Sequence, residues 1–164
     1  MVGADFRGEP YFLNFKDKRT DQKKYDIGIE TRAGKEWPSK KWAHAGQFVS
    51  QMKAAGLSVF EFSQRETVRE YAADINRCRV IVCGDTLCMH LALFFKIPTI
   101  GFFFCTSSSE IFDYGYLRKI VSPLLERYFY TRKDVLELMQ SIQVDEVAQE
   151  VNKILRINYH EKRI

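Results

Sequence analysis

The sequence has little that would staple a chain together or anchor it in place. It holds four cysteines, Cys78, Cys83, Cys88 and Cys105, and no Cys-x-x-Cys pair among them. All four sit in or beside strongly apolar runs, so buried reduced thiols are expected in place of disulfides or a thiolate zinc site. No other cluster of residues has metal-ligand spacing, so no metal is expected. No stretch joins a charged start to an apolar core, and a secretory leader is therefore not expected. The longest apolar run, around Met89–Phe104, is interrupted by His90, Lys96 and Pro98. It reads as a buried helix followed by a buried strand, and not as a membrane span. Internal repeats and low-complexity segments are absent. Charge of one sign is also scarce: a net +4 suits an anionic small molecule and is too small to argue for nucleic acid. The expectation is a cytoplasmic protein with at most peripheral membrane contact.

What remains is the composition of an ordinary globular domain, 46% hydrophobic and 28% charged. Its 164 residues suffice for one domain. A chain of that size buries roughly 70% of the surface its unfolded form exposes, enough to fold without staples. Residues 1–24 are polar and charge-dense apart from an apolar island at Tyr11–Phe15, and read as a connector. From Tyr25 the pattern changes. Tyr25–Thr31 alternates as a strand does. Helical spacing follows at about 40–55, with Trp42, Ala45, Phe48, Val49 and Met52 on one face and Gly56 closing it. Leu57–Phe62 reads as a second strand. Residues 66–77 read as a helix with its stripe at Val68, Tyr71, Ala72 and Ile75. Arg79–Cys83 is a third strand, Thr86–Phe95 an apolar helix, Pro98–Phe104 a fourth strand and Arg118–Val121 a short fifth. A helix at about 144–156 closes the domain on Val144, Val147, Ala148, Val151, Ile154 and Leu155. The domain is set at residues 25–158, with a charged tail at 159–164.

Strands alternating with helices at this spacing predict right-handed βαβ units and an α/β fold. It is Rossmann-like, a parallel sheet with helices on both faces. The unbroken apolar character of the third and fourth strands fits burial from both sides. Ligands of such sheets bind at the carboxyl ends of the strands, which directs attention to the loops there. After the first strand, Glu30–Trp42 carries Thr31, Arg32, Gly34 and Lys35. Arg32 is able to grip two oxygens at once, Lys35 to act as a point charge, and Gly34 to let backbone approach an anion. A plain solvated basic loop is the alternative. After the third strand, Gly84–His90 opens a helix whose first turn offers free N–H groups and partial positive charge. Asp85 or Thr86 suits its cap. His90 lies one turn in, either reaching the same pocket or half-buried as an ordinary structural histidine. After the fourth strand, Thr106–Glu110 either completes an anion cradle or caps a short helix.

Taken together these loops resemble a known family. Gly34–Trp42 is similar to the lysine–tryptophan–proline loop of glycosyltransferase family 9, the ADP-heptose:lipopolysaccharide heptosyltransferases. Gly84-Asp85-Thr86-Leu87-Cys88-Met89-His90-Leu91-Ala92 resembles that family's Gly/Asn-Asp-Ser/Thr-Gly-x-x-His-x-Ala signature. Pro98–Phe103 and Thr106-Ser107-Ser108 match its apolar strand and the Thr-Ser that follows. The resemblance covers about residues 25–155 and implies the C-terminal, nucleotide-sugar-binding half of a GT-B fold. It implies contacts from Thr31 and Lys35 to the diphosphate of an ADP-heptose-like donor, beside Arg32. Asp85 and Thr86 would sit at the phosphate and sugar end, with His90 supporting the loop and Thr106 beside it. Leu87 stands where the family has glycine. The implied partners are a nucleotide sugar and a lipopolysaccharide or other glycan acceptor. A separate N-terminal acceptor-domain chain is implied to carry the catalytic base. The donor is a co-substrate, and no cofactor is implied. The alternative is a non-catalytic nucleotide-binding module, a degenerate remnant of such an enzyme.

Overall fold

The computed structural model describes residues 8–11 and 22–161, with side chains through residue 155. Most of the expected connector 1–24 and the last residues of the expected tail therefore lie outside the described residues. Five strands form one parallel sheet: β1 (Tyr25–Ile29), β2 (Val59–Glu61), β3 (Cys78–Gly84), β4 (Thr99–Phe103) and β5 (Leu117–Val121). Their order is β2-β1-β3-β4-β5. The connections from β1 and β3 therefore run to opposite sides, which makes the β1/β3 boundary the topological switch point of a doubly wound sheet.

The helices α1 (Ala45–Ala54), α2 (Val68–Asn76), α3 (Leu87–Phe94), α4 (Leu136–Met139) and α5 (Val144–Glu161) cover both faces. Strand alternation decides which residues meet which helices. Ile27, Ile29, Val80, Val82, Ile100 and Phe102 point into one core with Phe48 and Met52 of α1 and Val147 and Val151 of α5. Ile81, Cys83 and Phe103 point into the other, with Ile75 of α2 and Met89 and Leu91 of α3. β3 and β4 are buried almost throughout, whereas β5, at the edge, buries only Leu117 and Ile120.

Two expectations are corrected here, and a third, the cap of the helix after β3, is narrowed to one of its two candidates. The helix expected at 40–55 is two pieces, a 3-10 turn at Pro38–Lys40 and then α1. Lys41 is extended (φ −75°, ψ 142°), and Trp42 drops into the core before the helix starts, its indole N–H donating to the Ile142 carbonyl at 2.9 Å. At the far end Gly56 (φ +82°) closes α1, where its N–H and that of Leu57 return to Lys53 and Met52. Val68 leaves the expected buried stripe and is half exposed. It is the first residue of α2, behind a capping box in which the Thr67 hydroxyl accepts from Glu70 N–H and the Glu70 carboxylate accepts from Thr67 N–H. The cap of α3 is Thr86, which makes no side-chain cap bond, and Asp85 serves elsewhere. The four cysteines are buried and free, and burial pushes the Cys78 thiol up to about 12.

Candidate functional site

At the switch point, the carboxyl ends of β1 and β3 open into a cavity of about 620 Å³, within the roughly 300–1,000 Å³ of small-molecule sites. Glu30, Arg32, Trp37 and Lys40 line it from the loop after β1. Gln64, Thr67, Val68 and Tyr71 line it from the β2–α2 connection, and Asp85, Thr86, Leu87 and Cys88 from the start of α3.

Two polar clusters face each other across this arrangement. On the β1 side the Glu30 carboxylate is nearly buried and accepts four bonds. Arg32 gives it the backbone N–H (2.8 Å) and both arms of its guanidinium (2.9 and 2.7 Å). The Tyr71 hydroxyl donates the fourth. Arg32 also donates to the Gln64 side chain at 3.1 Å, and its guanidinium lies over the Tyr71 ring, 5.9 Å from the centroid. The bond to Glu30 strengthens the guanidinium's hold on its proton. Burial raises the Tyr71 phenol far above its ordinary value, with Cys88 and Glu30 adding to the effect.

On the β3 side, Lys40 Nζ donates to Asp85 Oδ2 at 2.7 Å and to the Asp85 carbonyl at 3.1 Å. The Thr106 hydroxyl donates to the same carboxylate oxygen at 2.8 Å. Lys40 reaches this place because the 3-10 turn packs directly on the end of β3. A Cβ at Gly84 would lie 2.8 Å from the Lys40 carbonyl oxygen, so glycine is what admits the turn. The turn is fixed from behind: Ser39 Oγ donates to the Lys133 carbonyl at 2.6 Å and accepts from Val135 N–H at 3.0 Å. Trp37 is bracketed by two cations, with Lys40 Nζ at 5.0 Å and the Arg132 guanidinium at 4.9 Å from its ring centre.

Between the clusters stands the first turn of α3. Its leading N–H groups have no acceptor within the helix. The Thr86 hydroxyl beside them is buried, and among the described residues it is the buried side-chain oxygen without a hydrogen-bond partner. An acceptor of several bonds, such as a phosphate, would satisfy both.

Of the residues singled out in the sequence, Arg32, Asp85, Thr86 and Leu87 come together in the cavity wall. Thr31 is half-buried and Lys35 exposed, and neither lines the cavity. Thr106 stands behind Asp85 as its hydroxyl donor. His90 lies on the far side of Asp85, with Nε2 4.0 Å from Oδ1. Its Nδ1 shares a hydrogen bond of 2.7 Å with the Tyr11 hydroxyl. Burial lowers the His90 pKa, opposed by Asp85 and helped by Lys40. Burial also raises the Tyr11 phenol, which keeps its proton.

Sequence reasoning missed Glu30, Lys40, Gln64 and Tyr71. Glu30 was legible in part, as a carboxylate ending an otherwise apolar strand, two residues before an arginine. Lys40 could be told from Lys35 and Lys41 only through the turn at Pro38 and the glycine at 84. Among the described residues there is no group of histidine, cysteine and carboxylate side chains able to hold a metal ion, and no helix long and apolar enough to cross a membrane.

No protein-family model matches this chain, and no curated protein matches it at a significant level. Among solved structures it is similar to a glycosyl transferase family 9 protein from Veillonella parvula, with a TM-score of 0.59 at 17% identity. The match covers 83% of this chain and 47% of that one, so the chain spans about half the length of its neighbour. At that identity the likeness carries the fold alone, a Rossmann-like parallel sheet with helices on both faces.

Proposed function

We propose that the chain is the donor-binding unit of a family 9, heptosyltransferase-like glycosyltransferase. In this reading it holds the diphosphate of an activated sugar, and sugar passes to a lipopolysaccharide or other glycan acceptor carried on a separate acceptor domain. The observation that carries the reading is the cavity at the switch point, walled by the first turn of α3 and by Thr86, whose buried hydroxyl has no partner. A diphosphate there would accept from that hydroxyl and the first-turn N–H groups, with Lys40 alongside. During transfer negative charge grows on the departing diphosphate, and donors already aimed at it lower the barrier without reorganising. Arg32, Lys35 and Thr31 are secondary in this account. Thr106 and His90 act through Asp85, one on each side of it.

A second reading, a nucleotide-binding module without turnover, is favoured by one feature. Leu87 presents a side chain, half exposed, in the first turn of α3, where a close approach of backbone to phosphate would call for glycine. Calorimetric titration with ADP, and with UDP, GDP and AMP for comparison, tests the diphosphate pocket that both readings share. Saturable ADP binding that outranks AMP is expected. A folded chain that binds none of the four would overturn both. With ADP binding established, release of ADP from an ADP-sugar when the chain is combined with a family 9 acceptor domain and a glycan acceptor separates the two readings, since only the first predicts it.

A further inference from the structure

The cavity, at about 620 Å³, has more volume than a diphosphate fills, and the residues that line it from β1 and β2 have a different chemistry from those at α3. Arg32 dominates that end, and its charge is already answered. Both arms of the fork rest on the Glu30 carboxylate at 2.7–2.9 Å, and the third nitrogen donates to Gln64 at 3.1 Å. A phosphate brought to Arg32 would meet the Glu30 carboxylate behind it, and attraction and repulsion would largely cancel. What Arg32 retains is its shape. The guanidinium is planar, fixed on two sides, backed by the Tyr71 ring at 5.9 Å, and the side chain is still 39% exposed. A fixed guanidinium plane is a surface on which flat π-systems stack. Val68, apolar and half exposed at the start of α2, adds a hydrophobic wall to the same end.

We infer that Arg32, clamped by Glu30, Tyr71 and Gln64, is the platform on which the nucleobase of the bound nucleotide stacks, with Val68 beside it, and that it determines preference for a nucleoside over bare phosphate. The inference rests on the proposed function and extends it, because it needs the diphosphate at α3 to bring a base within reach. Glu30, Tyr71 and Gln64 are positioning residues in this account: they hold the plane and touch no ligand.

The experiment measures two affinities, for ADP and for inorganic pyrophosphate, in the wild-type chain and in Arg32→Lys, Arg32→Met and Val68→Ala, with circular dichroism on each to check folding. Arg32→Lys keeps the charge and removes the plane. It should lower ADP affinity roughly tenfold, about one base stack, while pyrophosphate affinity changes by less than about twofold. Val68→Ala lies outside the Glu30 cluster and should fold regardless of what the Arg32 variants do. It should lower ADP affinity by a smaller factor, again sparing pyrophosphate. Equal losses for ADP and pyrophosphate in the Arg32 variants would make Arg32 a phosphate ligand and overturn the inference. Unchanged ADP affinity in all three variants would overturn it as well. Wild-type chain that binds ADP no better than pyrophosphate would remove the base subsite and leave the diphosphate reading standing. Wild-type chain that binds neither would overturn the diphosphate reading itself, and this inference with it.

Discussion

On one wall of the cavity Glu30 holds Arg32 and Tyr71; on the other Asp85 holds Lys40 and Thr106. Both walls pair a carboxylate with a cation and a hydroxyl, yet they differ in how completely the pairing is closed. The Glu30 side chain is 5% exposed and takes four bonds, so Arg32 has little charge to offer a newcomer. Asp85 is 16% exposed and keeps Lys40 through a single carboxylate oxygen and its own carbonyl. An anion at α3 could draw Lys40 toward itself without leaving Asp85 stranded, since Thr106 would still donate to the carboxylate. A saturated ion pair is a piece of architecture, and an open one is a reserve of charge.

The largest expected effect separates the walls by stability. Glu30→Ala takes the acceptor of four hydrogen bonds from a half-buried guanidinium and a half-buried phenol and should cost about 2–3 kcal/mol in urea unfolding, the upper range for hydrogen bonds to a charged group. Asp85→Ala should cost about 1–2 kcal/mol, because Lys40 keeps the carbonyl of residue 85 and some access to water. Equal costs would erase the distinction. Next comes pyrophosphate binding by calorimetry. Lys40→Met should lose about 1.5–3 kcal/mol of affinity, the range for a charged hydrogen bond. Lys35→Ala, an exposed cation off the cavity wall, should lose less than about 0.7 kcal/mol. The reverse ranking would move the working cation out to the loop.

A smaller effect concerns pH. His90 has a lowered pKa in the folded chain, so on acidification the unfolded chain binds its proton first. Stability is thus intact above the ordinary histidine value of about 6.5 and declines as pH falls from there toward the folded value. The melting temperature of His90→Gln should fall less over that window than that of the wild type. Parallel curves would show that Asp85 compensates for burial in full. The smallest expected change is Thr86→Val. Loss of a capping hydroxyl ordinarily costs about 1 kcal/mol, but this hydroxyl caps nothing and is buried without a partner. Stability should stay within about 0.5 kcal/mol of wild type, while pyrophosphate affinity drops.

The sheet was legible in the sequence because strands buried on both faces announce themselves. Val80, Ile81 and Val82, or Ile100 and Phe102, leave few alternatives, and the glycine at 56 marks the end of α1 plainly. The site was legible only as loops. Arg32, Asp85, Thr86 and Leu87 were found because they stand where strands end and a helix begins, which is a matter of chain order. Which cation faces the cavity was hidden, since it depends on a 3-10 turn seated against a glycine 44 residues further along the chain. The quenching of Arg32 was hidden for a related reason. A carboxylate two residues away reads as loop polarity until Tyr71, from a different helix, is seen to close the cluster. α4 escaped because four residues are too few to show a period.

The contact between Gly84 and the carbonyl of Lys40 also bears on how distant relatives of this chain should be read. A lysine is easily replaced in function by a neighbour, and this loop holds Lys35 and Lys41 as ready substitutes. The space at residue 84 has no substitute, because any side chain there displaces the whole turn whatever cation it carries. In a relative too diverged to align with confidence, a glycine ending the third strand would be the better witness to a working charge over the cavity than a lysine at position 40.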